Sequence, residues 1–529
     1  MISRLGRVLL AQALCTAVVG LHAEEAGNSF ARFDIVRFAV DGNTLLPQST
    51  VDDLTAPYTG KARDIRDVVG AQKALQDIYR KLGYTVVWVI LPEQELQQGV
   101  VHIKVIETPL ANVTVVGNRV FTEDNIRNSL PALRTGETPN LQSVSRSLKV
   151  ANENPAKKID LQLQAGDKEG EINARVTVVD EKTWSVNASI DNTGDTSSGR
   201  NHLNVQLQHA NIANLDHVAS LQYTTSLDNP GKVSVYGFGY HVPLYSLGDS
   251  LDFYGSHSEV DSGTVKAGIL DLQVSGKGST LGARFNHNFD RHGDYDSKLT
   301  GGIDYRTITN DVSLLGTPLG NEITVRPLSL TYSATFPVSA GVSSFYISGV
   351  SNMPGDEKGS SADFERVRSG ASASYALLRY GASYSQRLPG DWQLRAVFNG
   401  QSTSDALVPS EQFGAGGAGT VRGFNEREIS NDSGGVANLE LYTPNWCSSL
   451  GRSPADCRLL AFYDNAYVSR NKALPGEQTQ ASIGSVGLGL RMQIDRYLTL
   501  QMDWGSVVDA SDTQGKGEQR VHFKIAVNY

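Results

Sequence analysis

The sequence predicts a transmembrane antiparallel β-barrel preceded by two α+β units, each with the element order β-α-α-β-β. Three observations predict this fold class: alternating apolar and polar residues recur throughout residues 181–529, residues 33–180 contain an internal repeat, and the chain ends on an amphipathic aromatic strand. Each observation constrains a different part of the chain, and the first concerns its larger part.

Short runs of alternating residues dominate the chain beyond residue 180. Residues 203–208 alternate leucine or valine with asparagine or glutamine, and residues 236–240 alternate aromatic residues with glycine. Alternation with a period of two gives a strand one apolar and one polar face. A bilayer admits β-structure only as a closed barrel, because an open edge would leave peptide groups unpaired in hydrocarbon. A large soluble β-sandwich or β-helix is the alternative that alternation alone leaves open.

The last nine residues favour the barrel. Residues 521–529 alternate apolar and polar side chains, and the chain ends on Tyr529. An amphipathic final strand closed by an aromatic residue resembles the terminal strand of bacterial outer-membrane barrels.

The first 23 residues predict a secretory signal peptide. Arg4 and Arg7 precede an apolar run over residues 8–21, and Ala23 ends the segment. This order is typical of signal peptides, and the apolar run is short for a spanning helix. A lipoprotein signal built on Cys15 is the alternative, but residues 12–14 are a poor lead-in for lipid attachment. Residues 24–32 would then form a short N-terminal segment. The net charge of −9 argues against a nucleic-acid partner.

Two cysteines remain after the predicted signal peptide, Cys447 and Cys457. Nearby thiols outside the cytoplasm usually pair, so we expect a disulfide that staples a hairpin and has no role in transport. A redox or metal pair is the alternative. Neither a C-x-x-C motif nor clustered histidines accompany the two residues, so we predict no metal site.

Residues 33–180 contain the repeat. V-x-G-N occurs at residues 40–43 and again at 115–118, and Thr-Gly occurs at 59–60 and at 135–136. Matching spacing and element order indicate a duplication. In the first unit we expect a strand over 33–40, a helix over 46–54 and strands over 85–91 and 100–106. A second helix in that unit would be capped by Asp64 and stopped by Gly83, with apolar spacing over Ile65, Val68, Val69, Leu75, Ile78 and Leu82. In the second unit we expect helices over 122–130 and 141–152 and strands over 159–165 and 172–179.

A glycine-rich stretch, residues 413–424, places Gly414, Gly416 and Gly419 at G-x-G-x-x-G spacing. Dinucleotide binding requires such glycines to join a buried strand to a helix, with an acidic residue about twenty positions further on. Glu440 lies near that distance, but the residues after Gly419 lack an apolar helical stripe. An exported chain also has no supply of dinucleotide. We therefore predict no cofactor.

Several stretches resemble the two-partner secretion transporters (the TpsB family, of haemolysin-activator and filamentous-haemagglutinin transporter type). Residues 42–46, 81–84 and 91–94 resemble the first POTRA domain of that family, and the second repeat resembles its second. Residues 191–194, followed by Gly199 and Arg200, are similar to the start of its barrel. The resemblance implies POTRA domains over 33–107 and 108–180 and a barrel of sixteen strands over 181–529. Spanning strands near ten residues long would give about 14 to 17 strands.

The glycine stretch also resembles a part of this family, the VRGY/F loop. In those proteins the loop folds back inside the barrel, and its tip arginine meets an aspartate of an F-x-D-x-G motif on the inner wall. Here the loop would span about 409–435, with Ala466 replacing the last glycine of the wall motif. The loop motif consists of Val421, Arg422, Gly423 and Phe424; its glycines are Gly414, Gly416, Gly417 and Gly419; and the wall residues are Phe462 and Asp464.

Physical chemistry supports the pairing of Arg422 with Asp464. By parity, Leu460, Phe462 and Asp464 share one strand face. An ionised carboxylate facing lipid would be very costly, so that face should point to the lumen. A guanidinium binds a carboxylate through two parallel hydrogen bonds. The alternative is an ordinary external loop with a solvated arginine.

The resemblance implies export of a large partner exoprotein across the bacterial outer membrane, without ATP. The periplasmic POTRA pair would capture the N-terminal secretion domain of the partner, which would be an adhesin, a haemolysin or a contact-dependent toxin. Outer-membrane lipid and, during biogenesis, the barrel assembly machinery are the other implied partners. The alternatives are an outer-membrane assembly factor, a substrate-specific porin and a secreted enzyme, but no catalytic site is predicted. Residues 24–32 are too few for the plug helix that several members carry.

Overall fold

The computed structural model describes residues 31–194, 198–259, 263–267, 270–274, 277–291, 293–310, 313–314, 317–318, 321–355, 357–449 and 455–529. The predicted signal peptide lies outside the described residues. The described chain divides into two compact units, one comprising most of the first repeat and the other comprising the second repeat and all that follows.

The first repeat forms a three-stranded sheet and two helices. Arg37–Asp41 pairs in parallel with the central strand Val100–Glu107, and Val87–Ile90 lies at the other edge. The helices are Gln48–Thr55 and Ile65–Lys81, and a 3-10 turn, Ala56–Tyr58, follows the first of them. The longer helix buries Val68, Ala71 and Leu75, whereas Ile65 and Val69 are exposed, so the buried face is narrower than the apolar spacing predicted.

The strand predicted over residues 33–40 is two strands, so that part of the prediction is wrong. Phe33–Ile35 pairs with Gly60–Arg63 in a separate two-stranded ribbon, and only Arg37–Asp41 joins the main sheet. At Val36 the backbone N–H donates to the Gly99 carbonyl oxygen at 2.8 Å, and the side chain is exposed. This bond redirects the chain between the two strands.

The second repeat has the same order of elements. Leu110–Val116 pairs in parallel with the central strand Ile172–Asp180, which pairs antiparallel with Lys157–Ala165. The helices are Glu123–Asn128, where Thr122 accepts a bond from Asn125 N–H, and Leu141–Ala151, where Asn140 accepts one from Ser143 N–H. Such caps satisfy N–H groups that have no partner within the helix.

The repeated V-x-G-N motif has a structural reason. Gly42 and Gly117 have φ angles of +84° and +87°, in the region that L side chains rarely adopt. A Cβ atom at Gly42 would lie 2.3 Å from the Val105 carbonyl oxygen, and one at Gly117 would lie 2.4 Å from that of Val178. Each repeat therefore requires glycine at this turn, where the backbone approaches the central strand of its own sheet.

The residues after Gly117 are held by one carboxylate, that of Asp180. It accepts backbone N–H bonds from Arg119 at 2.9 Å, Val120 at 2.8 Å and Phe121 at 2.9 Å. Burial raises the pKa of the Asp180 carboxyl, but these three donors outweigh it and the pKa is lowered. The stabilisation is therefore present at neutral pH and is lost as pH falls through the lowered folded pKa.

Asp180→Asn is expected to weaken this turn by about 1–2 kcal/mol at pH 7, because an amide is a weaker acceptor than a carboxylate. Hydrogen exchange of amides 119–121, measured in the full chain, should accelerate roughly tenfold per 1.4 kcal/mol lost. The difference from the parent should begin to shrink only as pH falls to the ordinary aspartate pKa, about 3.9, and should disappear below the lowered pKa of folded Asp180. Asp160→Asn, on the exposed face of the neighbouring strand, is the matched control. Equal exchange in Asp180→Asn and the parent at pH 7 would contradict the prediction.

The remaining strands form a closed antiparallel barrel, which confirms the predicted fold class and excludes the sandwich and the β-helix. The last strand pairs with the first, with Lys524 opposite Asp191. If the interrupted pair Asn321–Val325 and Pro327–Val338 counts as one strand, the described residues give sixteen. In order they are Trp184–Asp191, His202–Ile212, His217–Ser226, Ser234–Leu244, Asp249–Ser258, Lys277–Asn288, Asp296–Asn310, Asn321–Val325 with Pro327–Val338, Gly341–Asn352, Ala376–Arg387, Gln393–Ser402, Ser433–Tyr442, Ala455–Ser469, Gln480–Ile494, Leu498–Asp509 and Gln519–Asn528.

Some described elements lie in the connections between these strands. Gly263–Ala267 pairs with Leu270–Val274, and Ser313–Leu314 pairs with Thr317–Pro318. The helices Ser361–Val367 and Trp446–Ser449 and the 3-10 turns Pro389–Asp391 and Pro409–Glu411 also belong to connections, as does the ribbon of Phe413–Ala415 with Ile429–Asn431.

The two faces of the barrel wall differ as the alternation predicted. Large apolar side chains such as Leu221, Leu281 and Leu488 are exposed, whereas polar side chains such as Asp304 and Asp464 are buried on the opposite face. The apolar face therefore points outward and the polar face lines the lumen. In the part of the chain that the structure describes, no helix is long and apolar enough to cross a bilayer.

The second repeat is fixed to the barrel through a buried lysine. Lys157 Nζ lies 2.5 Å from an Asp216 carboxylate oxygen and 3.1 Å from Asn125 Oδ1. Tyr245 Oη also donates to Asp216, at 2.5 Å. Asp216 and Tyr245 belong to turns between barrel strands. These contacts identify the barrel end that carries the repeat, and the loops at residues 353–375, 403–432 and 470–479 leave the opposite end.

Candidate functional site

The glycine-rich loop lies inside the barrel. Residues 403–432 connect Gln393–Ser402 to Ser433–Tyr442, so the loop ends before the predicted limit of 435. Arg422 is buried against inward side chains of three barrel strands, and Glu411 is buried against Arg306 of a fourth. Contacts with the polar faces of these strands place the loop in the lumen.

Two of the loop glycines are required by the backbone. Gly416 and Gly417 have φ angles of +116° and +99°, and a Cβ atom at Gly416 would lie 2.6 Å from the Asn425 carbonyl oxygen. A Cβ atom at Gly419 would meet nothing within 4 Å, and one at Gly414 would lie 3.0 Å from the Arg427 side chain. The chain turns after Gly419 without forming a helix, unlike a dinucleotide loop.

The structure brings Arg422 and Asp464 together through two parallel hydrogen bonds. Arg422 Nε donates to Asp464 Oδ2 at 2.7 Å, and Nη2 donates to Oδ1 at 2.8 Å. The Arg422 backbone N–H also donates to Oδ2, at 3.1 Å. The guanidinium lies 3.6 Å from the centroid of the Phe462 ring. Asp464 is fully buried and Arg422 is 4% exposed, so both orientation and position are fixed.

Asp464 is not the only acid at the arginine. Arg422 Nη1 donates to Glu440 Oε1 at 2.8 Å and lies 3.5 Å from Asp503 Oδ1. Arg395 lies 2.9 Å from Glu440, and Arg491 lies 2.9 Å from Asp503. The described part of the site thus alternates carboxylates and guanidinium groups, which compensates most of the buried charge.

The sequence did not identify Asp503 or His522 as site residues, and Glu440 was considered only as the acidic residue of a dinucleotide site. His522 Nε2 accepts a bond from the Gly423 backbone N–H at 3.0 Å. These residues lie on three separate strands, Ser433–Tyr442, Leu498–Asp509 and Gln519–Asn528. Parity alone would have placed all three on lumen-facing positions, but only the closure of the barrel brings them to Arg422.

The residues on either side of Arg422 pack on an apolar patch of the inner wall. Val421 and Phe424 are fully buried, and Ala466 lies in the same cluster. The methyl group of Ala466, where the wall motif has glycine, therefore joins the packing under the loop tip. The other members of the cluster are Ala415, Val436, Ile483 and Val507.

At the base of the loop the charges are reversed, because the loop supplies the acid and the wall supplies the arginines. Glu411 is buried on the loop, and its carboxylate lies 3.0 Å from Arg306 Nη1 and 3.5 Å from Arg379 Nη2. Gln401 Nε2 donates to the Glu411 carbonyl oxygen at 2.9 Å. The loop therefore offers a cation at its tip and an acid at its base.

Cys447, in the connection between Ser433–Tyr442 and Ala455–Ser469, forms a disulfide with Cys457, near the start of the second of these strands. That connection leaves the barrel at the end that carries the second repeat, away from the base of the inner loop. No group of three His, Cys, Asp or Glu side chains in the described ranges could hold a metal ion.

A closed barrel that holds an arginine loop against its inner wall, with an α+β repeat in front of it, defines the class of outer-membrane proteins that join POTRA domains to a barrel. The chain belongs to the family of haemolysin secretion/activation proteins ShlB/FhaC/HecB, which matches residues 170–492. Residues 33–108 match the ShlB-type POTRA domain. The chain is thus a two-partner secretion transporter of the bacterial outer membrane, with its POTRA region in the periplasm. This family is one of transporters that secrete partner exoproteins, and it is not an enzyme family.

Relatives and solved structures agree with this assignment. The chain is 27% identical over 428 residues to the outer membrane transporter CdiB of Escherichia coli O6:K15:H31, covering 79% of this chain and 70% of that protein. It is 24% identical over 460 residues to the heme/hemopexin transporter protein HuxB of Haemophilus influenzae, covering 82% and 76%. The structure of CdiB from Escherichia coli shares the fold, with a TM-score of 0.73 and 23% identity over 96% of this chain and 92% of that one.

Proposed function

We propose that this chain secretes one large exoprotein, an adhesin, a haemolysin or a contact-dependent toxin, without ATP. The periplasmic repeats would capture its N-terminal secretion domain, with residues 108–180 acting as a second POTRA domain. The observation that carries the proposal is the buried contact of Arg422 with Asp464, which holds a loop across a polar lumen. An extended client polypeptide could pass through such a polar lumen with its backbone groups still hydrated.

We propose strand addition as the mode of capture, because backbone pairing holds an unfolded client with little demand on its sequence. Side chains already occupy part of the sheet edges. Gln72 and Gln76 bond the backbone of Val89 at 2.7 and 2.9 Å, and Asn152 bonds that of Ile159 at 2.9 and 2.7 Å. A client strand at the second repeat would therefore pair beyond Ile159, along residues 161–165.

Two further partners belong to the proposal. Outer-membrane lipid would cover the outward apolar faces of the strands, and the barrel assembly machinery would insert the chain. Folding of the client outside the cell would make passage directional, because a folded β-structure cannot slide back.

The proposal is tested by producing the transporter with a candidate client, a very long, repeat-rich exported protein encoded beside its gene, and measuring that client in the medium; absence of such a gene would count against the proposal. We expect secretion that persists without ATP and stalls when the client cannot fold. A client that lacks its N-terminal secretion domain is the matched control and should stay in the periplasm. Loss of other outer-membrane proteins on deletion of the gene would instead favour an assembly factor, and normal export of the truncated client would reject the proposal.

A further inference from the structure

Three loops meet at the barrel end opposite the second repeat. Residues 357–375, here called the helical loop, contain the helix Ser361–Val367. The other two are the inner loop, residues 403–432, and the third loop, residues 470–479. The chain enters the barrel from the periplasmic repeat at residue 184, so these connections lie at the external end.

One buried ion pair joins the three loops. Arg368 of the helical loop contacts both carboxylate oxygens of Asp432 of the inner loop, with Nη2 at 2.8 Å from Oδ2. Arg368 also donates to the carbonyl oxygens of Leu407 at 2.6 Å and of Asn471 at 2.9 Å. Asp432 in turn accepts backbone N–H bonds from Leu407 at 2.8 Å and Asn471 at 2.7 Å. Asp432 is fully buried, and these four hydrogen bonds to backbone groups help to compensate the burial of the pair.

The helical loop and the inner loop also share an apolar core. Phe364 and Tyr375 of the helical loop and Leu407 and Val408 of the inner loop are fully buried in one cluster. Its other members come from the helical loop or from the adjoining barrel strands: Ile308, Ile323, Val325, Val350, Ala371, Ala373 and Leu377. Where this apolar core fills the opening, it excludes water and extended polypeptide.

We infer that the helical loop is a lid that closes the external end of the barrel by locking onto the base of the inner loop. Arg368 is its positioning residue, and the lid must release for a client to leave. The client-release step rests on the proposed function, whereas closure of the pore does not.

The ion pair of Arg368 with Asp432 is separate from the ion pair of Arg422 with Asp464 at the loop tip. At the tip, the inner loop supplies the arginine and the wall supplies the acids. At the lid, the inner loop supplies the acid, Asp432, and the lid supplies Arg368. Each ion pair can therefore be broken without removing a charge from the other, so substitutions can test their roles separately.

Closure is tested by the ion conductance of the purified chain in planar bilayers. Arg368→Ala is expected to raise the mean conductance at least threefold, because the lid loses its bonds to the other two loops. Arg366→Ala is the matched control: Arg366 lies on the same lid, is largely exposed, and forms an ion pair with Asp363 one turn away. A parent-like conductance of correctly inserted Arg368→Ala would overturn the inference.

Release is tested by a crosslink, which also serves if Arg368→Ala does not insert. Ala371 and Ala406 face each other in a β-bridge, and Ser372 N–H donates to the Ala406 carbonyl oxygen at 3.1 Å. Bridge partners lie within the Cα separation of a disulfide. The double variant Ala371→Cys/Ala406→Cys, when oxidised, is expected to lower client secretion at least tenfold, with recovery on reduction.

The single variants and the parent, each with and without reductant, are the controls for the crosslink. Parent-like secretion by the oxidised double variant would overturn the lid. If the parent itself secretes no client, the proposed function fails, and the conductance of the crosslinked and reduced forms still decides closure: the crosslinked form should conduct no more than the parent.

Discussion

Arg422→Ala is expected to abolish secretion, or to lower it at least tenfold, while the barrel still assembles. The substitution leaves Asp464, Glu440 and Asp503 buried with one guanidinium fewer, and breaking a buried ion pair costs about 3–5 kcal/mol. The loss destabilises the position of the loop inside the barrel and leaves the barrel itself intact, because strand pairing does not involve the loop tip. The loop should leave the wall, and secretion in the medium and heat-modifiable migration of the barrel measure the two effects separately.

Two companion variants define what the site requires. Arg422→Lys keeps the charge but cannot form two parallel bonds to Asp464, so it should retain only a small part of the activity. Arg427→Ala, in the same loop, removes side-chain bonds only to Pro409 and Ser430 among the described contacts and should secrete like the parent. Secretion at the parent level by Arg422→Ala would show that the buried contact has no functional role, even though it is formed.

The wall around this site illustrates what sequence patterning can predict. Alternation placed Asp464 on the same face as Leu460 and Phe462, and all three are buried on the lumen side. Because a carboxylate in hydrocarbon is very costly, that face must point to the lumen whichever residue Asp464 contacts. The repeat was also predictable, because its glycines occupy a backbone conformation that other residues rarely adopt.

Residues that meet only through barrel closure were not predictable. Asp503 follows Arg422 by 81 positions and His522 follows Gly423 by 99, and no local pattern marks either residue. Arg368 lies in a loop that reads as an ordinary polar connection, and its partner Asp432 becomes buried only when three loops meet. The break at Val36 was missed for a related reason, since the acceptor of the Val36 N–H is the carbonyl oxygen of Gly99, which is distant in the sequence. Sequence patterns specify faces and turns, whereas long-range pairing selects partners.

The second large effect is expected at the junction of the second repeat with the barrel. Lys157 is fully buried on the strand Lys157–Ala165, and its ammonium group pairs with Asp216 at 2.5 Å. It also lies 4.9 Å from the centroid of the Phe121 ring. Burial lowers the pKa of Lys157, and the neighbouring carboxylate of Asp216 opposes that shift. The lysine thus depends on the barrel turn for its only described carboxylate partner within hydrogen-bond distance.

Lys157→Ala should destabilise this junction by about 3–5 kcal/mol, because it leaves the Asp216 carboxylate buried without its cation. We expect residues 108–180 to become sensitive to protease in the full chain, while the barrel keeps its heat-modifiable migration. Lys158→Ala, one position along and exposed, is the matched control. The double variant Lys157→Met/Asp216→Asn removes both charges and should recover much of the stability, since the penalty comes from the unpaired acid. Equal protease resistance in Lys157→Ala and the parent would mean that the apolar contacts alone hold the repeat, and secretion should then be unaffected as well.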